Sequence, residues 1–198
     1  MTDVRPPIPV RLAHRSTVGG LVQPWVNITL ADGTLDFRGI HGTRWRQAWT
    51  ERRCQTCGQP HSPLMVFLGG TNQIADGGYF DEPPLHPECA AYVRQACPMV
   101  AGRMHHYRAG PSVTEGPRGD ACGKPGCACG GYTASDQLLH GDGSVTIRRA
   151  DQTSGTGAPA HAWYAVTARG YQLAVTPEGQ LLGGIPVDVV RTQEVSRP

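Results

Sequence analysis

Hydrophobic positions along this chain follow two periods, and neither is sustained for long. Toward the N-terminus the apolar residues come in short extended runs: Ile8 to Leu12, broken by prolines, then Leu21 to Leu30 and Thr34 to Ile40. The last two are joined by Ala31-Asp32-Gly33, whose Asp-Gly is a strong hairpin signal. The period then changes. Trp45, Ala48 and Trp49 stand at i, i+3 and i+4, which predicts a helix from Arg44 to about Arg53, capped by Thr43, with its apolar stripe in the core. Pro63 to Leu68 is a continuous apolar run, and Gly77 to Phe80 begins a second extended piece; the two are predicted to pair as a hairpin. A second helix is predicted from Pro87 to Cys97, with His86 as N-cap and Pro87 at the first helical position, where its missing N–H is no loss. Cys89, Val93, Ala96 and Cys97 share one side of it, and Pro98 prevents simple continuation.

Beyond this the pattern thins. Residues 109–132 are rich in Gly and Pro and cannot bury enough apolar surface to order themselves. The C-terminal third reads as strands at Val145 to Arg148, Ala162 to Ala168, Tyr171 to Thr176 and Ile185 to Val190. A linker at Gln152 to Pro159 and turns at Gly170 and Pro177-Glu-Gly179 separate them, which suggests an antiparallel meander that pairs with the N-terminal strands. The expected fold class is therefore α+β: antiparallel and β-rich, with two short helices. The expected organisation is a β-hairpin region plus metal module (1–108), a Gly/Pro/Cys-rich loop (109–132) and a small antiparallel β region (133–198).

The metal module follows from cysteine spacing. Cys54-Gln-Thr-Cys57 and His86-Pro-Glu-Cys89 are two pairs of ligands, each with two residues between its members, the spacing that supplies four corners to one tetrahedral Zn²⁺. Gly58, directly after the first pair, provides the left-handed backbone that a metal-binding knuckle needs. Cys89 falls in the first helical turn, where the helix dipole lowers a thiol pKa, and Tyr92 is expected to pack near the metal. Three thiolates and one imidazole close the tetrahedron, so the expected role of this zinc is structural.

Knuckle, hairpin, then a helix whose first turn carries the last ligands: this order resembles the treble-clef zinc finger. With Trp25-Val26, Asp36-Phe37-Arg38, Glu82-Pro-Pro-Leu-His-Pro-Glu-Cys-Ala90 and Cys97-Pro98, residues of about 20 to 108 resemble an uncharacterised family of actinobacterial and phage proteins. The resemblance implies zinc and a fold but no activity. Catalytic histidines occur within the treble clefs of HNH nucleases, but His105-His106 lies beyond the helix and not at the end of a hairpin strand.

A second metal is suggested by Cys122, Cys127 and Cys129, with His105, His106 or Cys97 as a fourth ligand. Their spacing matches neither a zinc knuckle nor the plant-type iron–sulfur pattern, so one zinc with accessible loop thiols is the expectation, and Cys97 is expected in the core.

Composition narrows the function classes. Hydrophobic residues make up 39% of 198, enough for a real core but not a large one, and 26 Gly with 17 Pro favour turns and short strands. Of 18 basic residues only Lys124 is lysine, a skew that points to a high-GC genome such as an actinobacterium or its phage. No apolar run reaches membrane-spanning length and no signal-peptide core opens the chain, so a cytoplasmic protein without a membrane partner is expected, where cysteines serve metals. No Walker A, GxSxG or HExxH motif occurs. Three readings stand: a non-enzymatic, zinc-stabilised module that binds a protein partner; a nucleic-acid-binding accessory protein contacting phosphates through Arg44, Arg46, Arg52 and Arg53; and a metalloenzyme using the 122–129 loop with His105 or His106. A net charge of only +2 weighs toward the first.

Overall fold

The computed structural model describes residues 5–29, 35–75, 78–108, 137–139, 145–147, 156–160 and 162–196. The candidate ligands Cys122, Cys127 and Cys129 lie outside these residues. The architecture is α+β with antiparallel sheets.

The segment expected as an edge strand at Ile8 to Leu12 is instead a short 3-10 helix, Val10–Leu12, closed by bonds from the Leu12 N–H to the Pro9 carbonyl (2.8 Å) and from the Ala13 N–H to the Val10 carbonyl (3.1 Å). A two-residue ladder follows, β1 (Thr17–Val18) with β2 (Leu21–Val22). The predicted hairpin forms as β3 (Asn27–Thr29) against β4 (Leu35–Ile40).

Helix α1, Gly42–Thr50, starts earlier than the Thr43 cap implied. His41 is the N-cap: its N–H is fixed on the Val26 carbonyl (2.7 Å), and its own carbonyl accepts the Trp45 N–H (2.9 Å). The helix also ends earlier, because Arg52 takes the left-handed conformation (φ 54°) and the Arg53 N–H turns back to the Ala48 carbonyl at 2.9 Å. This is the Schellman arrangement, with arginine where glycine is commonest. The Arg52 guanidinium sits 4.7 Å from the centroid of the Tyr171 ring, a cation–π contact that offsets part of the backbone penalty.

The central sheet has the order β11-β10-β5, all antiparallel, with β5 at Met65–Gly70, β10 at Trp163–Val175 and β11 at Leu181–Ser196. The predicted pairing of 63–68 with 77–80 does not form. After β5 the single-turn helix α2 (Thr71–Ile74) leads the chain away, the Gln73 side chain accepting the Gly70 N–H at 2.8 Å, and Phe80 pairs with Gly184 of β11. The return toward β5 is one bridge, Val66 to Leu85. Nor is Gly170 a turn: β10 runs through it, paired to Val187. The C-terminal ribbon thus pairs with β5 and not with the N-terminal strands. Part of the expected linker is a strand too, β9 (Thr156–Pro159) paired with β6 (His106–Arg108); β7 (Gln137–Leu139) pairs with β8 (Val145–Ile147). The Pro177-Glu-Gly179 turn forms as expected, with Gly179 at φ 82°.

Every residue of β5 is buried because both sheet faces are covered, which explains a continuous apolar run where alternation would mark a half-exposed strand. Val66 and Leu68, with Ala165 of β10, meet the second predicted helix, α3 (Pro87–Ala96), in one core. Met65, Phe67, Val166 and Ala168 meet Trp45 and Trp49 of α1 in the other. The segment that carries Cys54, Cys57 and Cys89 is therefore built onto one face of the sheet and the tryptophan core onto the opposite one.

His41 is a pH-sensitive part of this frame. It is 4% exposed, and burial first, then the Arg44 charge, holds its pKa at about 4, below the ordinary 6.5. A folded-state pKa below the unfolded one means that unfolding takes up a proton in this window. The stabilisation is complete above about pH 6.5 and is lost as pH falls toward 4, by up to about 3 kcal/mol. His41→Gln should remove this part of the acid sensitivity when denaturant midpoints are compared across the window.

Candidate metal centre

The loop after α1 has little freedom. The Gly58 N–H bonds the Cys54 carbonyl at 2.8 Å and the Cys54 N–H bonds the Gln59 carbonyl at 2.9 Å, closing a knuckle around Cys54 and Cys57. Outside it, the Trp25 and Val26 N–H groups bond the Thr56 and Gln55 carbonyls (3.0 and 3.1 Å), and His14 Nε2 lies 3.1 Å from the Cys57 carbonyl. Gly58 has φ 77°, and a Cβ there would lie 2.7 Å from Cγ of the Trp25 indole. Two independent demands, handedness and space, converge on it. Gly58→Ala should therefore destabilise the protein by about 2 kcal/mol or more and lower metal occupancy, readable by thermal melting and elemental analysis.

The second half of the site is the start of α3. His86 is its N-cap with no side-chain cap bond, and Pro87 occupies the first turn. The imidazole is used elsewhere: Nδ1 lies 3.3 Å from Cys57 Sγ, and Nε2 lies 3.0 Å from the Pro60 carbonyl. A carbonyl only accepts, so Nε2 carries the proton and Nδ1 presents its lone pair to the thiols, the tautomer that a metal-binding histidine requires. The Gln55 N–H to the Pro84 carbonyl (3.2 Å) ties the segment before α3 to the knuckle. Arg11, in the short 3-10 helix, forms an ion pair with Glu88 and donates to Gln59 Oε1 at 2.8 Å, joining both halves from outside.

Cys54 Sγ, Cys57 Sγ, Cys89 Sγ and one nitrogen of His86 all lie within 4.8 Å of one another, and the four residues are at most 3% exposed. Tetrahedral bonds of about 2.3 Å place neighbouring sulfurs about 3.8 Å apart, so a small contraction brings the set onto one ion. These four residues could hold a metal ion. The electrostatics fit a site prepared for a cation. Hydrogen bonds from Cys54 and then Cys89 hold the Cys57 thiol well below its ordinary pKa, whereas burial first raises Cys54 to about 11, and the hydrogen-bonded Cys54 and Cys57 raise Cys89. Crowded thiols share negative charge poorly without a cation among them. Apolar packing seals the site: Leu85 and Ala90 lie in the same core, and the Tyr92 hydroxyl accepts the Val22 N–H at 3.0 Å.

His61 was not anticipated from its sequence position. Its ring centroid is 5.0 Å from that of His86, and burial first, then the neighbouring His86, lowers its pKa to about 4. It packs as a neutral ring beside the donor set, and no motif spacing marks it.

The other candidates are placed as follows. Cys97 is the C-cap of α3, half-buried against the core and outside the four-residue cluster. His105 and His106 are exposed. Arg44 donates to the Trp25 and Asn27 carbonyls (3.1 and 3.5 Å), Arg53 to Glu51 Oε2 and the Gly58 carbonyl (2.7 and 3.2 Å), and Arg52 lies over Tyr171. Arg46 is half-buried, one guanidinium nitrogen being without an acceptor among the described residues. Among the described residues no helix is long and apolar enough to cross a membrane. No protein-family model, curated protein or solved structure matches the chain.

Proposed function

We propose that the chain is a non-enzymatic interaction module, stabilised by one zinc ion in a treble-clef-like setting and acting by binding a protein partner. The observation that carries the reading is the closed, buried donor set of Cys54, Cys57, His86 and Cys89. Three thiolates and an imidazole occupy four coordination positions, so zinc bound there would have no position for substrate or water; what it supplies is a cross-link between the knuckle and α3. The soft sulfur donors favour zinc over hard cations such as calcium or magnesium. The treble-clef likeness lies in the knuckle and the ligand-bearing helix start, with the single Val66–Leu85 bridge in place of a hairpin.

Support for a protein partner comes from the β10–β11 ribbon. Along this ribbon Leu173, Val175, Ile185, Val189 and Val190 are 41–53% exposed, the first three beyond the rows that pair with β5. Apolar side chains gathered in one ribbon are a common mark of a protein contact. The nucleic-acid reading has less support, since Arg44 and Arg53 already donate to carbonyls of their own chain.

The test has two parts. Untagged protein purified without added metal should contain one zinc per chain, and affinity should fall with falling pH because the thiols must release their protons to bind. A photo-crosslinker at position 189 should give a discrete protein adduct in cells that the same group at Glu178, in the adjoining turn, does not give. Adducts with nucleic acid, or none above the Glu178 control, would remove the protein-partner reading, and two metals per chain would bring the 122–129 loop back as a site.

A further inference from the structure

On the sheet face that carries α3, the helix does not close completely onto the strands. A cleft of about 150 Å³ remains, its floor formed by Ala90 and Ala91 of α3 and its polar wall by Arg94, Thr167, Arg191 and Gln193. The placement follows from register. Ala90, Ala91 and Arg94 are spaced by three and four residues along one helix face, while Thr167 pairs with Arg191 and Ala165 with Gln193 in adjacent rows of the sheet. Two small alanines where larger side chains would meet the sheet leave the space open.

We propose that this cleft binds a phosphate dianion between Arg94 and Arg191, independently of the metal centre.

Charge carries the argument. Neither guanidinium has a carboxylate partner among the described residues, although both border the same small volume. The nearby acids are directed elsewhere: Glu88 pairs with Arg11, and Glu194, opposite Tyr164, is on the other sheet face from Gln193. Arg94 is not needed to cap its own helix either, because Arg103 donates to the Gln95 and Ala96 carbonyls at 2.9 and 3.3 Å. Two guanidinium groups on one compact cleft repel each other until an anion joins them. Their planar forks match phosphate oxygens in pairs, and the Thr167 hydroxyl and Gln193 amide add donors beyond the number that a single carboxylate could satisfy.

The same dianion could arrive as the free ion or on a phosphorylated side chain. Isotope-labelled full-length protein should be titrated with inorganic phosphate and, separately, with O-phosphoserine, while amide and arginine Nε–H resonances are followed. Saturable shifts are expected at Ala90, Ala91, Arg94, Thr167, Arg191 and Gln193. R94Q and R191Q should each weaken binding at least about tenfold, as loss of a charge-assisted pair does, whereas R169Q on the exposed part of the same ribbon should not. Tighter binding of phosphoserine would identify a phosphorylated side chain as the source, and tighter binding of inorganic phosphate the free ion. The proposal is overturned if chloride at equal ionic strength produces the same shifts, if acetate binds as tightly as phosphate, or if R94Q and R191Q both bind like the parent. Metal content and melting of the variants, measured in parallel, separate this outcome from failure of the zinc reading.

Discussion

Cys57→Ser and Cys89→Ser are expected to lower stability by about 4 kcal/mol or more, a fall in Tm on the order of 10 °C for a domain of this size. The reason is the construction of the module. The knuckle is a turn, α3 has ten residues, and a single bridge links Val66 to Leu85 between them. A helix this short is marginal by itself. The binding free energy of a metal held by the four residues would therefore be folding free energy for this half of the molecule. In the parent protein a strong chelator should reproduce most of the loss; in the variants it should add little. Equal melting of the parent with and without chelator would show that packing alone holds the knuckle to α3.

Trp49→Ala should produce a loss of similar size, about 3–5 kcal/mol, by a different route. Trp49 is 1% exposed and is the hub of the core on the sheet face opposite the Cys/His cluster. Its ring stacks on Phe67 (centroids 6.4 Å apart) and meets Trp45 and Tyr171 edge-on (6.3 and 5.2 Å), while its carbonyl accepts the Tyr171 hydroxyl. Gly184 lies so close that a Cβ there would be 2.4 Å from the indole, so the surroundings are shaped to this side chain and cannot readily collapse into the cavity. Because this cluster is on the other face of the sheet, protein that remains folded should keep its full metal content. Loss of metal in proportion to loss of Trp49 packing would show that the two cores fold as one unit.

The contrast between these two sites reflects the kinds of information held in the chain. Features whose partners are close in sequence were legible. The two Cys/His pairs that could hold a metal, Gly58 at a left-handed position, His86 and Pro87 at a helix start, and the stripe of Trp45, Ala48 and Trp49 all depend on neighbours within a few residues. Helix geometry and turn handedness act over that distance, so spacing alone specifies them. Even there, the bounds of α1 escaped, because His41 is held by Val26 and the ending relies on Arg52 over Tyr171, contacts made across the fold.

Strand pairing was decided by the tertiary structure. Nothing near Met65–Gly70 indicates that its partner is Trp163–Ala168 and not Gly77–Phe80, since an apolar run states only that a strand will be buried and not by what. Gly170 reads as a turn in isolation, yet it lies in a continuous strand because Val187 is opposite it and extended glycine fits the ladder. The arginines show the same division: Arg44, Arg46, Arg52 and Arg53 read as a basic face from their places in and just after one helix, but the fold turns Arg44 and Arg53 toward backbone carbonyls, and it brings Arg94 and Arg191, far apart in sequence, to one cleft. Local sterics and metal-ligand spacing are written in adjacent residues. Which surfaces meet depends on burying both faces of β5 at once, and that condition exists only in the assembled chain.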